Sequence, residues 1–89
     1  MLNIHDKSQF RKDYRKLRSS GKNLDELAIV IDTLAAEQPL PRHYRDHALT
    51  GNYSGCRECH IRPDWLLVYQ ITDTELILLR TGSHSELFG

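Results

Sequence analysis

The order of apolar and polar positions divides the 89-residue chain into two halves with different periods. In the first half the repeat is helical. Phe10, Tyr14 and Leu17 fall at i, i+4 and i+7 among charged residues, the spacing of one apolar helix face. Asp6, with Gln9 three residues on, has the form of a capping box and predicts where this helix begins. Ser19, Ser20 and Gly21 predict its end. Asn23, with Glu26 three residues on, predicts a second start. Leu24, Leu27, Ala28, Ile31, Leu34 and Ala35 give the second helix its apolar face, and Pro39 and Pro41 stop it. Two amphipathic helices on a short link predict a helical hairpin. Ahead of them, Leu2, Asn3 and Ile4 alternate as a short strand would.

After a polar loop over residues 42–52 the period becomes two. Residues 53–61, 65–71 and 75–81 read as strands, with turns at Pro63-Asp64 and Thr72-Asp73-Thr74. Connections this short favour an antiparallel meander. Gly82 closes the last strand, and Ser83 with Glu86 predicts a final capped helical turn. The expected architecture is α+β over residues 1–89 as one domain. It has a short strand, a two-helix hairpin and a three-stranded antiparallel meander, with the helices packed on one small twisted sheet.

Composition adds a class. The chain is 39% hydrophobic and 27% charged, as in a globular soluble domain. Its apolar runs, residues 76–79 among them, are far short of the roughly 20 residues a membrane span needs. Residues 1–9 are polar and unlike a signal peptide. A cytoplasmic location with two reduced thiols is expected.

Net charge is zero, but the charges are segregated. Residues 5–22 hold seven cations (Lys7, Arg11, Lys12, Arg15, Lys16, Arg18, Lys22) and two anions; the remainder holds five cations and ten anions. Such asymmetry points to one basic face and a polyanionic partner.

Cys56-Arg57-Glu58-Cys59-His60 has the C-x-x-C-H spacing of covalent haem attachment, or of half a zinc site. Strand alternation argues against haem. It puts Cys56, Glu58 and His60 on one face and Cys59 and Ile61 on the other, so the thiols diverge. Met1 is the one Met, which leaves no methionine suited to be a second axial ligand. A structural zinc site would use a second paired knuckle, and none is present. No metal, haem or other cofactor is expected. Cys59 reads as a small buried hydrophobe and Cys56 as partly exposed.

Three further patterns bear on function. They are Asp46-His47-Ala48-Leu49-Thr50-Gly51, then His60-Ile61-Arg62-Pro63-Asp64-Trp65-Leu66-Leu67-Val68-Tyr69, then Arg80-Thr81-Gly82-Ser83-His84-Ser85-Glu86-Leu87-Phe88-Gly89. In this order and spacing they resemble the YafQ-type toxins of the RelE/ParE superfamily. The resemblance implies a bacterial type II toxin that enters the ribosomal A site, cuts messenger RNA and is neutralised by a cognate antitoxin. It also implies site residues: His47, His60, Asp64, Arg80 and His84, with Phe88 at the end of the chain. Superfamily members that poison gyrase instead generally lack this His cluster.

These residue types suit metal-free RNA cleavage. The ribose 2′-OH attacks the adjacent phosphorus and leaves a 2′,3′-cyclic phosphate and a 5′-OH. The step needs a base, an acid and a cation for the phosphorane. His84 is expected as general acid and Arg80 as the cation; His60, His47 or Asp64 is the base. Strict alternation in the last strand puts Arg80 on the face of Leu76 and Leu78. Phe88 and Trp65 are candidate substrate contacts, Trp65 reading also as a core anchor. Arg11, Lys12, Arg15, Lys16, Arg18 and Lys22 are candidates for ribosomal RNA phosphates.

Overall fold

A computed structural model describes residues 1–89. Its elements are β1 (Asn3–Asp6), α1 (Ser8–Ser19), α2 (Asp25–Ala35), β2 (His47–Ala48), β3 (Arg57–Arg62), β4 (Trp65–Ile71), β5 (Glu75–Gly82) and α3 (His84–Phe88). Single 3₁₀ turns occur at Arg42–Tyr44 and Gly51–Tyr53.

The expected meander is present as β3–β4–β5, and it is the middle of a larger sheet. Five strands run in the order β1-β5-β4-β3-β2. β1 lies parallel to β5, with Ile4 opposite Leu76; the other pairs are antiparallel. The first strand therefore joins the sheet at the far edge from β2. The antiparallel partner of β2 is β3, which converts part of the expected polar loop into sheet.

The helices cover one face. Their buried residues are Phe10 and Leu17 from α1, and Leu27, Val30, Leu34 and Ala35 from α2. Beneath them lie Cys59, Ile61, Trp65, Leu67, Tyr69, Leu76 and Leu78 in one cluster. Each fully buried large apolar side chain contributes roughly 1.5–3 kcal/mol. Both helices pack chiefly on the sheet, so the expected hairpin is a pair of neighbours on one surface. In α2 the buried face is rotated from the expected one: Val30 is fully buried and Ala28 is exposed.

The expected cap at Asp6 is not formed. Lys7 precedes α1 without a side-chain cap. Asp6 is the last residue of β1, opposite Leu78, and its carboxylate accepts from Arg11 at 3.2 Å. The sheet ladder thus claims the residue that the capping pattern assigned to the helix. Asn23 does act at the start of α2, its side-chain oxygen accepting from the Asp25 N–H at 2.9 Å. The Ser83–Glu86 capping box forms as expected.

One irregularity sets the direction of the last strand. In the β4–β5 pair, Val68 faces Arg80 and Tyr69 faces Leu78, which leaves Leu79 as an extra residue. This bulge resets the alternation. Leu76 and Leu78 point to the helices, whereas Arg80 shares the opposite face with Val68. The expected grouping of Arg80 with Leu76 and Leu78 is corrected accordingly.

Candidate active site

The face of the sheet away from α1 and α2 carries only a small buried cluster, Leu66, Val68 and Leu87, with Leu49, Tyr53, Cys56 and Leu79 packed around it. The titratable groups stand on this sparse apolar floor. Residues directly opposite on paired strands share a face. His47 opposes Glu58, Glu58 opposes Val68, and Val68 opposes Arg80, forming a row across four strands. At about 4.8 Å per strand its backbone spans about 14 Å. The adjacent row is His60, Leu66 and Gly82.

His47 is delivered by a short loop with two left-handed residues, Arg45 (φ 52°) and Gly51 (φ 66°). Asp46 anchors that loop to the core, accepting hydrogen bonds from the Tyr69 hydroxyl and, at 3.3 Å, from Arg57 Nε. The acid of the DHxL pattern is therefore structural. His47 Nδ1 lies 2.7 Å from the Arg45 carbonyl oxygen, and its Nε2 lies 3.7 Å from Glu58 Oε1. His60 approaches the same carboxylate oxygen, with Nε2 at 3.4 Å, and its Nδ1 is 3.4 Å from the Pro63 carbonyl oxygen. The two imidazole centroids are 6.2 Å apart.

Glu58 is thus the buried acid between two histidines, and sequence reading missed it. Its side chain is only 5% exposed, against 15% for His60 and 50% for His47. A lone acid within a strand carries no signal by itself. The usable clue was its phase, two residues before His60 on the same face.

The other half of the site comes from β5 and α3. Gly82 has φ 154°, and a Cβ there would meet Glu86 Oε1 at 3.1 Å and Leu87 Cδ2 at 3.4 Å. Glycine lets α3 fold tightly back over the end of β5. Ser83 then caps α3, and the Ser83 backbone N–H donates to Glu86 at 2.8 Å. Bonds from Ser83, with Lys16 nearby, hold the Glu86 carboxyl well below its ordinary range, at about 2. His84 follows, its backbone N–H donating to Asp64 Oδ1 at 3.2 Å. Asp64 therefore ties the β3–β4 turn to the start of α3. His84 stacks near Phe88, with ring centroids 5.2 Å apart, and Phe88 meets Tyr53 edge to face at 5.3 Å.

Arg80 is 24% exposed and is held charged, first by its hydrogen bond to Asp13 and more weakly by Tyr53. Of its two expected readings, substrate contact or core anchor, Trp65 fits the core anchor. It is buried on the helix side, its indole N–H donates to Thr81 Oγ1 at 3.0 Å, and Lys22 lies over its ring. Phe88 is the aromatic ring beside His84, and Tyr53 packs edge to face against Phe88.

The thiols diverge as alternation required. Cys59 is in the helix-side core, where burial pushes its thiol up to about 12, and Cys56 packs on the opposite cluster. They form no disulfide.

Two histidines against a buried acid, a third on a helix folded back beside their turn, and an arginine on the same face form one open surface. The family profile "Bacterial toxin of type II toxin-antitoxin system, YafQ" matches residues 2–89. The chain belongs to the YafQ toxin family. It is 38% identical to the mRNA interferase toxin YafQ of Escherichia coli strain K12 over 87 residues, 97% of this chain and 95% of that one. YafQ in the crystallised E. coli DinJ–YafQ complex superposes with a TM-score of 0.93 at 37% identity, covering 100% of both chains. A copper-bound mutant toxin from Helicobacter pylori superposes with a TM-score of 0.95 at 51% identity, covering 99% of this chain and 100% of that one.

Proposed function

We propose that this YafQ-family chain is an endoribonuclease toxin that cuts messenger RNA in the ribosomal A site and is silenced by a cognate antitoxin. The observation that carries the reading is the shared open face. His47 and His60 flank Glu58, and the turn after His60 is joined to the His84 helix through Asp64. The relative named an mRNA interferase and the relative crystallised with DinJ support the cleavage and the antitoxin respectively.

In this reading His84 protonates the leaving 5′-oxygen. His47 or His60 takes the 2′-OH proton, with Glu58 between the two rings. Asp64, already engaged by the His84 backbone, positions rather than accepts a proton. Arg80 meets the phosphorane with the guanidinium edge that Asp13 leaves free, where its fixed fork suits two oxygens. Phe88 and Tyr53 supply aromatic faces for a splayed base. Each acid or base contributes roughly two to four powers of ten in rate.

The copper of the H. pylori toxin has no counterpart in this scheme. Every step of the scheme runs through side chains.

Ribosome binding falls to α1. Of its candidates, Arg11 is engaged by Asp6, Lys16 by Glu86 at 2.9 Å, and Lys22 by the Trp65 ring. Lys12, Arg15 and Arg18 are exposed and free of ion pairs, and they carry most of the expected phosphate contact. Purified toxin added to programmed ribosomes tests the proposal. New messenger ends within the A-site codon support it; stalled ribosomes on intact messenger refute cleavage in favour of simple blockade.

A further inference from the structure

α1 carries five cations and a single acid, Asp13. That acid faces inward. Its side chain is 11% exposed and is clamped to β5 across 67 residues of sequence. Asp13 Oδ2 accepts from Arg80 Nε at 2.7 Å and from the Thr81 backbone N–H at 3.2 Å. Oδ1 accepts from Arg80 Nη2 at 3.3 Å, and Gln9 Nε2 donates to it at 3.2 Å. The carboxylate therefore takes one edge of the guanidinium in a two-point fork and fixes the adjoining peptide of β5.

The Leu79 bulge makes such a clamp necessary. It turns Arg80 to the open face at the very place where the ladder is irregular. A long side chain leaving an irregular strand has many rotamers, and ordering it has an entropic cost. A fork held at Nε and Nη2 removes most of that freedom in advance, and neither bond to Asp13 uses Nη1.

We propose that Asp13 is a positioning residue for RNA cleavage, holding the Arg80 guanidinium so that its Nη1 edge is presented to the scissile phosphate. This rests on the reading that Arg80 meets that phosphate. It gives the basic helix a second duty: its outer face binds polyanion while its inner face sets the geometry of the site.

The test measures single-turnover cleavage on programmed ribosomes, ribosome affinity and thermal melting. The variants are Asp13→Asn, Asp13→Glu, Arg80→Ala and the double variant Asp13→Asn/Arg80→Ala. Arg80→Ala is expected to lose at least a hundredfold in rate. Asp13→Asn is expected to lose at least tenfold with ribosome affinity unchanged, and Asp13→Glu to recover part of that loss. The double variant should be no slower than Arg80→Ala, because a clamp has no value without the arginine. An impaired Arg80→Ala beside a wild-type Asp13→Asn overturns the clamp and keeps Arg80 at the phosphate. Losses that multiply in the double variant overturn it too. A fully active Arg80→Ala removes the underlying reading and the clamp together. Should Asp13→Asn melt below the assay temperature, the rates are compared at a lower temperature where it is folded, and a wild-type rate there overturns the proposal.

Discussion

The two faces of the sheet are built to different ends. Between one face and α1 and α2 lies a continuous apolar cluster of fifteen buried residues. The other carries an apolar cluster of only three buried residues, surrounded by His47, Glu58, His60, Arg80 and His84. One side holds the chain together; the other keeps charged groups where a packed core would not tolerate them. The same five strands serve both, because alternate residues of each strand go to opposite faces.

The sharpest way to break that contrast is to remove a group from the open face alone. His84→Ala is expected to lower single-turnover cleavage by roughly two to four powers of ten while leaving the thermal midpoint in place. Next comes the opposite perturbation. Leu67→Ala, beneath the helices, should destabilise the fold by about 2–5 kcal/mol in a denaturant titration, yet the molecules that remain folded should cut at the normal rate. If Leu67→Ala slowed the folded fraction as strongly as His84→Ala, the two faces would not be separable.

A smaller effect separates binding from chemistry. Charge reversal at Lys12, Arg15 and Arg18 should weaken ribosome binding and flatten its dependence on salt, with little change in single-turnover rate at saturation. The smallest effect concerns the α3 hinge. Glu86 is held at about 2, below its usual 4.5, so its contribution is present above about pH 4.5 and is lost as pH falls toward 2. Wild type should therefore lose more stability across that window than Glu86→Gln, measured by thermal melting at each pH.

The sequence disclosed local features better than distant ones. β4 occupies residues 65–71 as its run of Leu, Val and Tyr predicts, and the Ser83–Glu86 cap is a pattern within four residues. β1 and β2 were harder. A two-residue strand at His47–Ala48 exists because β3 lies beside it, and the parallel partner of β1 is some seventy residues away. Asp6 was misread for a similar reason: its capping pattern is local, but the pairing with β5 prevails. At the proposed site, the histidines and Arg80 are the residues to which the motifs point. Glu58 and Asp13 were not legible, since each is one acid among many until the fold sets it against its cation or imidazoles. The Leu79 bulge was equally hidden, because a leucine in an apolar strand fits either phase.

The chemistry of the cut ends tests the account most directly. Wild-type toxin on programmed ribosomes should yield messenger fragments with 2′,3′-cyclic phosphate and 5′-hydroxyl ends, and His84→Ala should yield almost none. Fragments bearing 3′-hydroxyl and 5′-phosphate ends would contradict a reaction run by these side chains.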